Sequence, residues 1–466
     1  MAVGKPPLSK KNVASYITIF IGIACVFVIA PWAIYAFWTD LITIIIWLNV
    51  AALVIAGLVF AYCIYLAYRT IGFMRKGRFG STPVERKLVV VSLIMIVGSI
   101  GTYIGLESPS WVPTDMYPHL SFTSDPATSM TLTWTSTSSY TGRVMYGTSP
   151  SNMSLVLQDP GPTENHVLKF TGLTPNTHYY YNITQFGKTW SFKTASNQND
   201  NLKFIAISDL HAPSTDIHVS DMQAWNPDFY VLTGDIVDLG FSNAEWNDLF
   251  SILSPVATNC SIMTAIGNHD LFVNREQNYV KYLSMPMAST GIDLYYHIKY
   301  NGVNFFSLYL DYGLDTFDSA QLAWFQSEMA AIPAGEWIIV YNHCSYISSG
   351  EYNNATGNSF KLYSSTGDMM DYFHDYFVSH HVNLVITGHD HHFEISKWDG
   401  VVYAIVGIGN TKLDTASSSN NTNSIWYEPG YTGFMGVQIN GSTCTLTGHL
   451  YQNDVLTKTV VYSFSR

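Results

Sequence analysis

Three stretches of the chain carry no charged side chain: Asn12 to Thr39 and Leu41 to Tyr68, 28 residues each, and Leu88 to Leu106, 19 residues. A helix needs roughly 20 apolar residues to cross a bilayer. The pattern therefore predicts a membrane region over residues 1–106 with three spanning helices, at about 14–38, 41–67 and 88–106. Tyr16, Trp32, Trp38, Trp47 and Tyr68 stand near the ends of these windows, where rings meet lipid headgroups. Beyond residue 106 the periodicity changes. Met130 to Trp134, Gly142 to Tyr146 and Thr177 to Ile183 alternate apolar and polar positions, and Asp125-Pro126, Gly147 to Pro150 and Gly172 to Asn176 punctuate them. Short strands separated by such turns predict an all-β sandwich over 117–196. Ala195 to Asn201 reads as a polar linker. From 202 to 466 short β-rich runs alternate with longer segments, which predicts an α/β domain of two packed sheets flanked by helices. The runs at 434–439, 443–451 and 460–464 are expected to complete its second sheet.

Charge sharpens this division. The 466 residues hold 22 Lys+Arg against 34 Asp+Glu, a net charge of −12, and only 12% are charged. That composition excludes a disordered chain and a free nucleic-acid binder, so no nucleic-acid binding is expected. Residues 1–105 carry a net +7 and the remainder −19. The basic residues Lys5, Lys10 and Lys11 precede the first window, and Arg69, Arg75, Lys76, Arg78, Arg86 and Lys87 fill the loop before the third. The positive-inside rule places both in the cytoplasm. Everything after Glu107 is then expected outside: a multi-pass cell-membrane protein with the lipid bilayer as partner and an extracytoplasmic catalytic domain. A cleaved signal peptide is the alternative for the first window, but it lacks a small-residue exit site. Six N-x-S/T sequons (Asn152, Asn182, Asn259, Asn354, Asn420 and Asn440) all follow residue 106, in agreement with that topology. Of the five Cys, Cys25 and Cys63 fall in the apolar windows, and Cys260, Cys344 and Cys444 permit one disulfide at most.

Five apolar runs in the last region end in metal-ligand residue types. They lead into Asp209-Leu210-His211, Gly234-Asp235-Ile236-Val237-Asp238, Gly267-Asn268-His269-Asp270, Asn342-His343 and Gly388-His389-Asp390-His391. In an open α/β sheet, ligands bind beyond the carboxyl ends of the strands, so five such clusters converge. They offer oxygen and nitrogen donors and no thiolate, a set suited to Mn, Fe or Zn. The number of donors exceeds what one ion needs and fits two divalent metal ions sharing a carboxylate. The glycines before Asp235, Asn268 and His389 allow tight turns there.

The ordered series resembles the calcineurin-like metallophosphoesterase superfamily, whose motifs run D-x-H, G-D-x-x-D, G-N-H-D/E, H and G-H-x-H. The resemblance implies a hydrolase of phosphate esters in which one ion takes Asp209, His211, bridging Asp235 and His391. The other takes Asp235, Asn268, His343 and His389, and a hydroxide held by the metals attacks phosphorus in line. It further implies that His269 contacts the phosphate or protonates the leaving oxygen, oriented by Asp238, and that Asn268, His269 and His392 face the substrate. A solvent-exposed neighbour is the other reading of His392.

The strands Ser129 to Trp134, Val144 to Gly147, Leu173 to Tyr181 and Ser191 to Thr194 resemble the fibronectin-III-like N-terminal domain of purple acid phosphatases. The stretch Gly388 to Glu394 resembles their G-H-x-H-x-Y-E. Two positions depart from that family: His211 stands where it has Gly, and Asp238 where it has the Tyr that gives the ferric colour. A colourless enzyme without need of ferric iron is expected. Val406 to Asn410 resembles a late family turn near the site. The insert between Asp270 and Trp337, with Tyr279, Tyr282, Tyr295 and Tyr296, either caps the site or packs in the core. Two other functions remain open at this level. One is a surface binding or adhesion protein with an inactive phosphoesterase-like domain, against which the complete ligand set argues. The other is a phosphodiesterase or pyrophosphatase acting on lipid-linked phosphates. The apolar windows hold few polar groups, which favours anchoring over transport.

Overall fold

The computed structural model describes residues 116–197, 201–213, 217–273, 276–289, 291, 294–310, 319–350, 369–410, 412–414 and 421–466. The three expected membrane helices lie outside them. Among the described residues no helix is long and apolar enough to cross a membrane. All described residues belong to one compact unit, Tyr103–Arg466.

Seven strands form the β-rich first part: β1 (Met116–Ser121), β2 (Met130–Tyr140), β3 (Arg143–Gly147), β4 (Leu155–Gln158), β5 (Thr163–Phe170), β6 (His178–Ile183) and β7 (Lys188–Lys193). Strands β4-β3-β6-β7 make a four-stranded sheet. β5 shows why the pattern folds this way: His166, Leu168 and Phe170 are buried while Val167 and Lys169 face out. Phe170 meets Phe192 at 5.2 Å and Tyr181 at 6.0 Å between the layers.

The opposite layer differs from the expected free-standing sandwich. β1 pairs with β2 and also, in parallel at Leu120↔Ser261, with β10 (Ser261–Ala265) of the following domain. The result is one nine-stranded sheet, β20-β19-β18-β8-β9-β10-β1-β2-β5. Here β8 is Leu202–Ile207, β9 Phe229–Thr233, β18 Thr432–Asn440, β19 Thr443–Gln452 and β20 Val455–Ser465. The physical reason is that residues 118–122 are buried on both faces. His119 stacks on Phe250 at 4.1 Å, and Phe122 packs on Phe229 and Tyr300. The terminal strands do not complete the second sheet as expected. They extend the first, through antiparallel pairing of β18 with β8.

The second sheet has the order β11-β12-β13-β14-β16-β15-β17. Its strands are β11 (Tyr296–Tyr300), β12 (Val303–Ser307), β13 (Trp337–Tyr341), β14 (Leu384–Thr387), β15 (Phe393–Trp398), β16 (Val401–Val406) and β17 (Ser424–Glu428). β12, β13, β14 and β16 run parallel and are buried along their whole length, as expected for strands covered on both faces. Phe305 closes the space between the sheets, 5.4 Å from Phe204 and 5.2 Å from Phe229. Helices α1 (Val219–Trp225), α2 (Asn243–Ala257), α3 (Gln277–Tyr282), α4 (Ser319–Ala330) and α5 (Met369–Ser379) cover the sheets. Tyr279, Tyr282, Tyr295 and Tyr296 are buried, so these four pack in the core. Cys260, Cys344 and Cys444 are free thiols.

Candidate metal centre

All five expected clusters sit at strand ends, after β8, β9, β10, β13 and β14. Four of their side chains start from backbone that L residues rarely adopt: φ is 57° at Asp209, 42° at His211, 49° at Asp235 and 70° at His389. Such positions cluster where a site demands a fixed geometry. Two glycines are required by close approach. A Cβ on Gly267 would stand 2.2 Å from Asp235 Oδ1, and one on Gly388 1.8 Å from Ser208 Oγ.

Two groups of donors form at the expected ligand positions, and His211, Asp238 and His269 form a third group. Asp209, His211 and His391 place ligand atoms within 4.8 Å of one another, and so do Asp235, His343 and His389. His391 Nε2 lies 3.3 Å from Asp209 Oδ1 and 3.3 Å from His211 Nε2. His343 Nε2 lies 3.1 Å from Asp235 Oδ2 and 3.4 Å from His389 Nδ1. Asp235 Oδ2 stands between the groups, 3.9 Å from His211 Nε2, as a bridging carboxylate must. Asn268 follows Gly267 in the same cluster, and its Oδ1 is buried without a hydrogen-bond partner.

The electrostatics are those of a cation site. Burial opposes charge on the two carboxylates, but the neighbouring imidazoles, His343 first, outweigh it. They hold Asp209 down to about 2 and Asp235 well below the usual range. Burial also opposes charge on His343 and His391, yet the carboxylates raise both to about 9. His389 is pushed down to about 3, by burial and then by the charge of His343. Metal ions binding at such a cluster displace protons from its ligand groups. Buried, convergent oxygen and nitrogen donors with an orphaned Asn268 oxygen therefore fit two divalent ions.

The surrounding shell fixes the rings. His343 Nδ1 donates to the Thr233 carbonyl at 2.9 Å. His211 Nδ1 donates to Asp238 Oδ1 at 3.0 Å. His269 Nδ1 donates to the main-chain oxygen of Asp238 at 2.8 Å and lies 3.4 Å from its carboxylate. Asp238 thus holds His269 chiefly through its backbone and spends its carboxylate on His211. The side chain of His269 is 28% exposed and stands at the solvent side of the cluster. Asp270 takes no part in ligation among these groups. Its oxygens accept from the backbone N–H of Gly267, Ile236 and Val237, and burial pushes its carboxyl up to about 7.

His392 is a correction. It is neither exposed nor available to substrate: it is fully buried, with Nδ1 on Asp414 at 2.9 Å and Nε2 on Glu394 at 3.1 Å. The turn after β16 supplies partners that the sequence reading missed. Asn410 Nδ2 donates to the Asp209 carbonyl, His391 Nδ1 to the Lys412 carbonyl, and Lys412 Nζ to Asp238 Oδ1 at 2.6 Å. The signal was present, since Val406 to Asn410 stood out already; Lys412 and Asp414 follow it directly.

Comparison with known proteins agrees with this picture. Residues 202–393 match the family model of calcineurin-like phosphoesterases, and residues 116–195 that of the purple acid phosphatase N-terminal domain. Purple acid phosphatase 22 of Arabidopsis thaliana is 25% identical over 245 residues, 50% of this chain and 54% of that protein. An uncharacterized protein of Mycobacterium tuberculosis is 25% identical over 334 residues, 60% of this chain and 61% of that one. The chain thus spans less than two thirds of the length of these curated relatives. Purple acid phosphatase from yellow lupin (Lupinus luteus) seeds superposes with a TM-score of 0.62 at 16% identity, over 76% of this chain and 75% of that one. The structure of PhoD gives 0.57 at 10% identity, over 75% and 90%. The fold is therefore purple-acid-phosphatase-like, a β-rich domain followed by an α/β phosphoesterase domain.

Proposed function

We propose that this chain is a membrane-anchored, outward-facing phosphoesterase that hydrolyses phosphate esters at a centre of two divalent ions. The observation that carries the reading is the convergence of two buried His/carboxylate groups with Asp235 between them. Asp209, His211, His391 and Asp235 would hold one ion; Asp235, Asn268, His343 and His389 the other. Bound there, two divalent cations neutralise phosphate charge and lower the pKa of water into the neutral range. The protein's own part is positional. The strained backbone at Asp209, His211, Asp235 and His389 aims the donors, and Asp238 and Thr233 fix the tautomers of His211 and His343. His269, held by the Asp238 carbonyl and 28% exposed, would contact the phosphate and deliver a proton to the leaving oxygen.

The membrane anchor and the outward orientation rest on the three charge-free stretches and on the +7/−19 division of charge. A panel of phosphate mono- and diesters with Mn, Fe and Zn, run beside Asn268→Ala and His269→Ala, tests the chemistry. Turnover is expected only with metal, and falling by about 100-fold or more in His269→Ala. No metal-dependent turnover on any ester would refute the reading. Because Asp238 replaces the tyrosine of the purple family pattern, the iron-loaded protein is expected to show no visible charge-transfer band. A purple protein would contradict this. Glycosylation of Asn152 or Asn440 in intact cells checks the topology; protection of residues 106–466 inside the cell would overturn it.

A further inference from the structure

We propose that Lys412 is a phosphate-recognition residue whose ammonium takes the outer oxygens of a phosphate bound at the metal centre. The inference rests on the phosphoesterase reading above and adds a specificity-determining residue to it.

The position of Lys412 is built rather than incidental. Asn410 Oδ1 accepts the Lys412 N–H at 2.5 Å, and Asn410 itself is tied to the Asp209 carbonyl at 2.8 Å. The Lys412 carbonyl receives His391 Nδ1, and two residues on Asp414 N donates to the His391 carbonyl at 2.9 Å. The Asp414 carboxylate is anchored on buried His392. The backbone of Lys412 is therefore fastened directly to one expected ligand residue, His391, and through Asn410 to a second, Asp209.

The side chain then reaches the centre. Nζ donates to Asp238 Oδ1 at 2.6 Å, the same oxygen that lies 3.0 Å from His211 Nδ1 and 3.4 Å from His269 Nδ1. The ammonium and His269 Nδ1 thus share one oxygen, and both side chains reach solvent, 54% and 28% exposed. An ammonium has three N–H donors, and the contact with Asp238 uses one. Among the described residues, Lys412 is the one Lys or Arg in an ion pair with a site residue; Lys299 and Lys458 pair elsewhere, with Glu336 and Glu428. A lysine side chain 54% exposed contributes little to stability through such a pair. Its consequence is for the ligand. Without it, Asp238 would present an unmasked carboxylate to an incoming anion. Coulomb attraction scales with the product of charges, so a cation here favours a monoester dianion over a diester monoanion.

The full chain loaded with Mn²⁺ tests this in two ways. Inorganic phosphate is titrated calorimetrically, and kcat/KM is measured on 4-nitrophenyl phosphate and bis(4-nitrophenyl) phosphate. Lys412→Met is expected to weaken phosphate binding about 10-fold and to lower the monoester rate similarly, with less than about 3-fold loss on the diester. Lys412→Arg is expected to stay near wild type. The Lys412→Met loss of phosphate affinity should persist in an Asp238→Asn background, because contact with phosphate does not depend on the Asp238 charge. Equal losses on both esters, or no loss in the Asp238→Asn background, would overturn the proposal; the latter would reduce Lys412 to a mask for Asp238. Metal content is measured on every variant, and loss of an ion in Lys412→Met would equally overturn it by making the residue part of the metal frame. Absence of turnover in wild type would remove the phosphoesterase reading, while the phosphate titration would still decide the role of Lys412.

Discussion

Asp209, His211, Asp235 and His389 accept left-handed backbone, a strain of roughly 1–2 kcal/mol for each L residue. Asp209 and Asp235 are also almost fully buried. Metal ions return that cost, since they bind the folded centre and stabilise it by mass action. Chelation is therefore expected to lower Tm in wild type. Asp235→Asn removes the carboxylate that pairs with His343, so its metal-free Tm should fall below that of wild type and the metal-induced rise should be largely lost. An Asp235→Asn protein with a full metal-induced rise would exclude Asp235 as a ligand. A second residue-scale effect concerns His119, far from any ligand group in sequence. Burial pushes its imidazole down to about 4 from the ordinary 6.5. Between pH 6.5 and 4 the unfolded chain binds a proton that the native chain refuses, so stability is lost as pH falls through that window. The loss from this one group is roughly 3 kcal/mol at most. His119→Phe keeps the stack on Phe250 and should flatten the acid limb of a urea-denaturation series by about one proton. Identical slopes in the two proteins would show that another group governs acid loss.

At the scale of elements, the five strand-end clusters were legible because each packs its chemistry into three to five residues after an apolar run. What decides the orientation of those groups was less so. Asp238 and Leu239 are held by Glu245 Oε2, which accepts their backbone N–H at 3.0 and 2.7 Å. Glu245 sits in the first turn of α2, whose N-cap Ser242 receives the Glu245 N–H. This is a capping box whose acid reaches past the N-cap to the loop before it. Ser242→Ala should cost about 1 kcal/mol of stability with little change in rate. Glu245→Gln replaces the charged acceptor of both N–H groups by a neutral amide oxygen and should lower kcat several-fold by loosening Asp238, His211 and His269 together. Equal kinetics in the two variants would argue that α2 does not position the site. His392 misled for a related reason. Beside an expected ligand in G-H-x-H its place looked functional, but which side of a turn a residue faces is set by partners such as Asp414 and Glu394, which are distant in sequence or ordinary in type.

For the molecule as a whole, the pattern of alternation and the polar stretch after Lys193 suggested two domains joined by a linker, and this is where folding physics was hidden. β1 has no clear alternation, because both its faces are covered, and Pro118 would argue against an interior strand. The structure resolves the conflict by a register shift between Met116 and His119, which takes Pro118 out of the ladder. Other bonds cross the same boundary. Tyr181 OH donates to Thr258 O at 2.7 Å, Ser121 Oγ to Ser284 O at 2.6 Å and Ser196 N to Asn301 Oδ1 at 2.7 Å. Phe122 shares one aromatic cluster with Phe229 and Tyr300, so the cores on either side are continuous. A shared sheet and a shared core make it costly for one part to melt while the other stays folded. The compact unit of residues 103–466 is therefore expected to unfold in a single calorimetric transition, with van't Hoff and calorimetric enthalpies equal. A core cavity on the β-rich side tests the coupling directly. Phe122→Ala should lower that single midpoint, by about 3–5 kcal/mol of stability, and release residues of both parts to amide exchange together. Two separated transitions, or exchange confined to residues 116–196, would show that the linker reading was right after all.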